Sequence, residues 1–449
     1  MNPTPLSKRL SEIKTILILG LPIIIAQLSQ TAIGFVDTLM AARVSAEDLA
    51  AVALGSSFWL PILLSMGGIL MATTPLVAHH VGAGEEKETR VQFQQGQWIA
   101  LCLTVIAIIL LNNNTALLEY MDIHGSLLAK TQAYLSALSW GVPAILFYQV
   151  IRSYCEGFGK TRPIMKIGIL ALLCNIPLNY IFIYGKLGLP AMGGVGCGWA
   201  SAIVMWIMAI ASSLYISKSE LFKPIKLFNQ WQNPQRKPLG SILRLGIPIG
   251  FTLLIEVSMF SVIALLVARL GEVVVAAHQI TISFTGMIFM LPLSIAMAIT
   301  IRVGQQLGAK NREGARFTAT SGLLLTGSFS VVSCSFMYLM ATPIAQMYTP
   351  LTDVVVLASS LIVIAAIFQF SDAIQVVAAG ALRGYKDTSV PLLVVFVAYW
   401  LIGLPSGYIL GLTDLLVPAM GAAGFWYGLV IGLTVAAILL PWRLFRLAR

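Results

Sequence analysis

Charge is what this sequence has least of. Asp, Glu, Lys and Arg make up 10% of its 449 residues, against the roughly 25% usual in soluble domains. That scarcity, with 58% hydrophobic residues and a mean hydropathy of +0.88, excludes a soluble globular fold. Cysteine is sparse as well: Cys102, Cys155, Cys174, Cys197 and Cys334 lie in or beside apolar runs and none forms a C-x-x-C pair. Zinc ligation and a secreted disulfide framework are therefore not indicated, and buried free thiols are expected. The four histidines, His79, His80, His124 and His278, share no metal spacing on one helix face, so no metal enzyme is expected. No Walker loop is present, and no nucleophile–base cluster marks an integral-membrane enzyme. What remains is an all-α polytopic membrane protein.

A membrane span needs about 20 mostly apolar residues. That rule predicts twelve transmembrane helices, at 15–42, 49–80, 93–112, 130–154, 163–185, 193–217, 240–268, 275–307, 316–340, 354–381, 389–411 and 419–445. The first carries Lys8, Arg9 and Lys14 before it and Pro22 and Asp37 within it, which reads as a retained helix and not a signal peptide. One long polar connection, 218–239, lies near the midpoint with Pro224, Pro234, Pro238 and five basic residues. Alternate connections and the two ends hold 24 of the 28 Lys and Arg; the other side has Arg43, Lys130, Lys186 and Arg269. This bias predicts cytoplasmic termini. It also explains the net charge of +10 without a nucleic-acid partner.

The midpoint connection separates two copies of one unit. Gly20-Leu21-Pro22 matches Gly246-Ile247-Pro248 at an offset of 226, as Gly82-Ala83 matches Gly308-Ala309. Gly157 and Thr161 match Gly384 and Thr388 at 227, and Pro190 to Gly193 match Pro418 to Gly421 at 228. Six helices per copy is an even number, so both copies enter the membrane in the same sense, as a parallel repeat. The expected organisation is an N-terminal six-helix bundle (1–217), a cytoplasmic linker (218–239) and a C-terminal six-helix bundle (240–449), with a cleft between the bundles.

Three acids stand inside apolar runs: Asp37, Glu256 and Asp372. An ionised carboxylate at mid-membrane costs about 2.5–3.5 kcal/mol on insertion scales, so each needs a partner, a proton or an ion. No Lys or Arg lies mid-span to pair with them. Asn175 and Asn179, four apart and on one face, carry oxygens suited to a hard monovalent cation. Asp37 with these amides is either a cation site or interhelical glue. Glu256 and Asp372 facing one cavity would compete for a proton or share a cation. At offset 226 Asp37 falls on Ile263, while Glu256 falls on Gln30. The acids are thus not copies of one ancestral site. Glu156, beside Arg152 and Lys160, reads as a surface acid.

Pro22, Gln27 and Gly34-Phe35-Val36-Asp37-Thr38, with Ala50-Ala51-Val52, Glu156-Gly157 and Lys160-Thr161-Arg162-Pro163, resemble the multidrug and toxic compound extrusion (MATE) family, in its NorM-type branch. Ile255-Glu256, Ala276-Ala277-His278-Gln279-Ile280, Asp372, Leu382-Arg383-Gly384 and Asp387-Thr388 extend the resemblance from about residue 10 to 445. It implies two six-helix bundles in a V and a secondary antiporter that exports amphipathic cationic compounds in exchange for Na⁺ and/or H⁺. By this resemblance Asp37, Asn175 and Asn179 form one coupling site, and Glu256 with Asp372 a second. Relatives often add a hydroxyl from helix 6, where Cys197, Gly198 and Ser201 stand here. Gln279 and Ser57 are expected to line the drug cavity, Asp353 to sit near its outer mouth, and Phe368 to present its ring to an ion or drug. No cofactor and no metal beyond Na⁺ at Asp37, Glu256 and Asp372 are implied. The setting would be a bacterial-type inner membrane, with lipids as neighbours and a monomeric state. A lipid-linked oligosaccharide flippase of the same superfamily is the alternative; its pyrophosphate substrates call for basic residues in cavity-lining spans. A major-facilitator transporter is disfavoured, since the loop after helix 2 reads GAGEEKETR.

Overall fold

A computed structural model describes residues 5–229 and 231–448. Among these the chain is helical, without strands. The first half contains α1 (Pro5–Ala42), α2 (Ala46–Met71), α3 (Thr73–Gly82), α4 (Thr89–Asn112), α5 (Thr115–Tyr120), α6 (Gly125–Ser139), α7 (Val142–Gly157), α8 (Arg162–Tyr184) and α9 (Gly194–Lys218). The second contains α10 (Arg236–Ala268), α11 (Glu272–Gly308), α12 (Arg312–Leu339), α13 (Ala341–Tyr348), α14 (Thr352–Gly384), α15 (Ser389–Phe396), a π-helical turn (Val397–Gly403), α16 (Leu404–Leu412) and α17 (Ala422–Leu447). Among the described residues eleven segments are long and apolar enough to cross a membrane, and α6 with α7, bent by 46°, makes a twelfth. The expected twelve spans are therefore present.

The bend has a local cause. Pro143 has no N–H to donate to the carbonyl one turn back, so the helix opens there. Gly141 lets α9 close on the break: a Cβ at this position would lie 2.9 Å from Ala202 Cα. At offset 226 Gly141 and Pro143 become Ile367 and Gln369, and the matching helix α14 runs unbroken from Thr352 to Gly384.

The repeat is written into the backbone. Left-handed residues pair as Gly84 (φ 73°) with Lys310 (59°), Gly159 (71°) with Lys386 (62°), and Gly193 (56°) with Gly421 (60°). Their separations are 226, 227 and 228, the same drift as in the sequence. Two of these turns carry lysine where glycine would be the easier choice. The short helices α5 and α13 also begin 226 residues apart.

The chain divides into two compact units, Leu21–Gly250 and Met1–Gly20 with Phe251–Arg449. Both leading helices change unit beside a proline: α1 at Pro22 and α10 at Pro248. In the first unit the start of α10 lies hard against α2. A Cβ on Gly246 would sit 2.2 Å from the Ile69 carbonyl oxygen, and one on Gly250 2.5 Å from that of Ser65. In the second unit the start of α1 is held by a fork. Arg302 Nε and Nη2 donate to Glu12 at 3.0 and 3.2 Å, and Thr318 Oγ1 donates to Glu12 Oε1 at 2.6 Å. Ile16 is fully buried there with Ile295 and Ile299.

The midpoint connection is not a loose tether. Gln94 and Gln95, both fully buried on α4, donate to the carbonyls of Leu227 and Asn233 at 2.9 and 3.0 Å, and accept from the backbone N–H groups of Gln232 and Gln235. Trp98 Nε1 donates to the Gln232 carbonyl at 3.0 Å. These bonds make the connection part of the first unit.

Lipid offers apolar side chains no reason to leave it, so close packing must hold the helices together. In the second unit α16 meets α17 along a seam of small residues. A Cβ on Gly424 would lie 2.4 Å from Gly411 N, and one on Gly428 2.3 Å from Gly407 N. Gly432 approaches the Ala398 carbonyl oxygen in the same way, at 2.3 Å. This contact seats the π-helical turn and, with it, Tyr399.

Candidate functional site

In the first unit the structure brings together Asp37, Asn175 and Asn179. Asn175 and Asn179, one turn apart on α8, donate through Nδ2 to Asp37 Oδ1 at 3.1 and 2.6 Å. Asn179 Nδ2 also reaches Asn175 Oδ1 at 3.0 Å. The other carboxylate oxygen, Oδ2, accepts the Ser201 hydroxyl from α9 at 2.8 Å. Cys197, one turn earlier, directs its thiol at the Asp37 backbone carbonyl at 3.5 Å. All four polar side chains are buried. Ser201 therefore supplies the helix-6 hydroxyl that the sequence Cys197-Gly198 left in doubt. Gly198 is the reason it can: a Cβ there would lie 2.9 Å from the Tyr134 carbonyl oxygen, so α9 packs close on α6.

The cluster is a carboxylate held by three donors, the arrangement that best accommodates a charge away from water. One acceptor remains over. Asn179 Oδ1 is buried without a hydrogen-bond partner. Turning that carboxamide would exchange a donor for an oxygen beside Asp37 and convert a carboxylate cradle into a cation site.

The second unit gathers Glu256 and Asp372 from α10 and α14. Glu256 Oε1 accepts from Gln375 Nε2 at 3.2 Å, and Gln375 Oε1 accepts from Tyr399 of the π-helical turn at 3.2 Å. Asp372 is buried one turn before Gln375, the residue that bonds Glu256. Gln375 shares a helix face with Asp372, three residues on; that spacing was a usable sequence signal. Tyr399 gave none, because it reaches the site through a π turn, a distortion found often at functional positions.

The remaining candidates lie elsewhere. Phe368 is buried edge-on between Phe260 and Trp426, with ring centres 6.3 and 5.5 Å away. Trp426 Nε1 in turn donates to His278 Nδ1 at 3.2 Å. Gln279, next to the buried His278, is exposed, as are Asp353 in the first turn of α14 and Ser57 on α2. The Ser57 hydroxyl donates to the Ala53 carbonyl at 2.9 Å. No group of three or more His, Cys, Asp and Glu suited to a metal is found among the described residues.

Two charged residues depart from the sequence reading. Glu156 is not a surface acid. It is 2% exposed, accepts from Arg152 Nε at 2.8 Å, and Arg152 Nη2 donates onward to Gln27 Oε1 at 3.0 Å. Helix α7 continues past the predicted end, to Gly157, where a Cβ would lie 2.7 Å from Val77 Cβ. This tight approach to α3 closes over the acid. Arg383, placed by sequence in a connection, belongs instead to the last turn of α14 and is buried.

A family model described as MatE matches residues 22–181 and again 248–409. The two matches start 226 residues apart and end 228 apart, which reproduces the internal repeat. The multidrug resistance protein MdtK of Photorhabdus laumondii is 47% identical over 436 residues, covering 97% of this chain and 95% of that one. The MdtK protein of Yersinia pestis is 47% identical over 440 residues, covering 98% and 96%. Among solved structures, the eukaryotic MATE transporter AtDTX14 superposes with a TM-score of 0.86 over 98% of each chain at 20% identity, a likeness of fold.

Proposed function

Because the chain belongs to the MatE family, we propose that it is a multidrug efflux antiporter driven by cations that bind at Asp37 and at the Glu256–Asp372 pair. It is a transporter, not an enzyme. Its substrates are amphipathic cationic compounds, and its coupling ions are Na⁺ and/or H⁺. It works as two six-helix bundles in a bacterial-type inner membrane, monomeric, with both termini cytoplasmic.

The observation that carries this reading is the Asp37 cluster. A carboxylate buried on three donors is costly in a membrane-spanning chain, and such groups are as a rule functional. In the outward-open state a cation entering either site neutralises its carboxylates and weakens the hold on a cationic drug, which leaves. The halves then rock, and the cation is released inside. Antiport of this kind requires that ion and drug each prefer a different state. Gln279, Ser57 and Asp353, all exposed, are the polar contacts offered to the drug, with Phe368 entering once its aromatic stack opens.

Efflux of a cationic dye from loaded vesicles, under separately imposed Na⁺ and H⁺ gradients, tests the mechanism. Wild type is compared with Asp37→Asn, Glu256→Gln and Asp372→Asn. Loss of gradient-driven efflux is expected in each; unchanged efflux in all three would sink the reading.

A further inference from the structure

Arg383 is 8% exposed in the last turn of α14. Among the described residues no carboxylate lies within ion-pairing distance of it. The nearest acid in sequence, Asp387, is taken by Arg443, whose Nε donates to Asp387 Oδ2 at 2.8 Å. Along α14 Arg383 lies two turns beyond Gln375, the residue whose amide bonds Glu256 at 3.2 Å. Asp372, Gln375, Ala379 and Arg383 follow one another at helical spacing along a single face of α14. Gln375, which holds Glu256, thus lies between the acid pair and the guanidinium.

The repeat shows that this is not a general feature of the fold. At the offset of 227 that aligns Gly157 with Gly384, Arg383 falls on Glu156 and Ala379 on Arg152. In the first unit the buried charge is cancelled within its own helix, Arg152 to Glu156 at 2.8 Å. In the second the local partner is an alanine, and the charge is left to act at a distance. A buried charge kept without a close partner is costly, so its retention calls for a use.

We infer that Arg383 is the resident counter-charge of the Glu256–Asp372 pair, acting through Glu256 to weaken that site's hold on the coupling cation and so permit release. This rests on the reading of those acids as a coupling site, and adds to it a residue that touches neither ion nor drug. Two carboxylates and one guanidinium leave a single net negative charge, which one Na⁺ or one proton balances. Without the guanidinium the pair would carry two and hold its cation more tightly. The groups set around the pair are Gln375, which bonds Glu256, Tyr399, which bonds Gln375 from the π-helical turn, and Arg383 further along α14.

Full-length protein in lipid nanodiscs is titrated with Na⁺ at fixed pH, and with pH in Na⁺-free buffer. The readout is tryptophan fluorescence, for which Trp400, whose Nε1 donates to the Ile255 carbonyl beside Glu256, is a built-in reporter. R383Q is expected to move the midpoint toward lower Na⁺ or higher pH by on the order of tenfold, as loss of a unit charge about 12 Å away, two helical turns, at an effective dielectric near 20 gives. R383K is expected to stay near wild type, which a purely structural role would not require. An R383Q midpoint equal to wild type, or equal weakening in R383Q and R383K, overturns the inference. If R383Q does not fold, R383Q/E256Q should recover folded protein; failure to do so while E256Q alone folds also overturns it. E256Q separates the two levels: if it titrates as wild type, the coupling-site reading falls and the inference with it. If it abolishes the response while R383Q fails to tighten, only the counter-charge is lost.

Discussion

Ser201 Oγ donates to Asp37 Oδ2 at 2.8 Å, across 164 residues of chain. Hydrogen bonds to a charged group contribute about 1.5–3 kcal/mol. The hydroxyl stabilises the charged carboxylate, so Ser201→Ala should tighten proton binding at Asp37 by about tenfold or more, while Ser201→Thr, which keeps the hydroxyl, should stay near wild type. Dye efflux measured against Na⁺ and H⁺ concentration distinguishes the two variants; equal behaviour would show that the hydroxyl is incidental.

The two acid sites differ in construction. Asp37 has three donors, whereas Glu256 has a single amide and a second acid nearby. Asp37→Asn and Glu256→Gln should thus change the Na⁺ and H⁺ dependence of efflux in different ways. Identical ion profiles for the two variants would mean that the sites are redundant.

Breaking the Arg152–Glu156 pair on one side only should be far worse than removing it whole. Arg152→Met leaves Glu156 buried and unpaired, and a loss of about 3–5 kcal/mol is expected. Arg152→Met with Glu156→Leu should recover most of the thermal stability in detergent. A double variant as unstable as the single would show that packing, and not charge, governs the site.

The glycine seam makes a steric prediction. Gly428→Ala places a methyl 2.3 Å from Gly407 N, a backbone contact with no flexible atom to give way. Overpacking of this kind costs about 1–3 kcal/mol, and the shift in the π-helical turn should also lower efflux through Tyr399. Gly67→Ala, with nothing within 4 Å, should be silent in both thermal unfolding and transport.

Loss of the fork at Glu12 should free the start of α1. In Glu12→Gln the amides of residues 8–20 should exchange with deuterium roughly tenfold faster, in keeping with the loss of charge-assisted hydrogen bonds. Exchange limited to the same residues in wild type and variant alike would assign the anchoring to Ile16 and its neighbours.

Much of this was legible beforehand. Spans follow from hydropathy because lipid forces every backbone group into a helix, and the repeat follows from matched Gly and Pro because those residues mark turns and close approaches. Asn175 and Asn179 could be paired from a spacing of four. Ser201 could not be placed, because its register against Asp37 depends on how closely Gly198 lets α9 approach α6. Glu156 was misread for a related reason: the apolar run ends before the helix does, and burial there is set by contact between Gly157 and Val77. Arg383 lay two residues beyond the predicted end of its span, where an exposed loop residue and a buried guanidinium look alike in sequence.

The exchange of leading segments bears on how such a chain arose. Cut at 218–239, the protein would yield two fragments, each keeping a segment that folds only on the other. Residues up to Gly20 belong with α11 and α12, and the start of α10 belongs with α2. A chain of one copy would have the same unmet need, which a second copy trading its first segment would meet, the arrangement of a domain swap. Two copies in one chain make the trade intramolecular, at the effective concentration set by a tether. Within one chain the two copies need not be alike: the first carries a single acid, Asp37, on its leading helix, and the second carries Glu256 on its leading helix with Asp372 on α14.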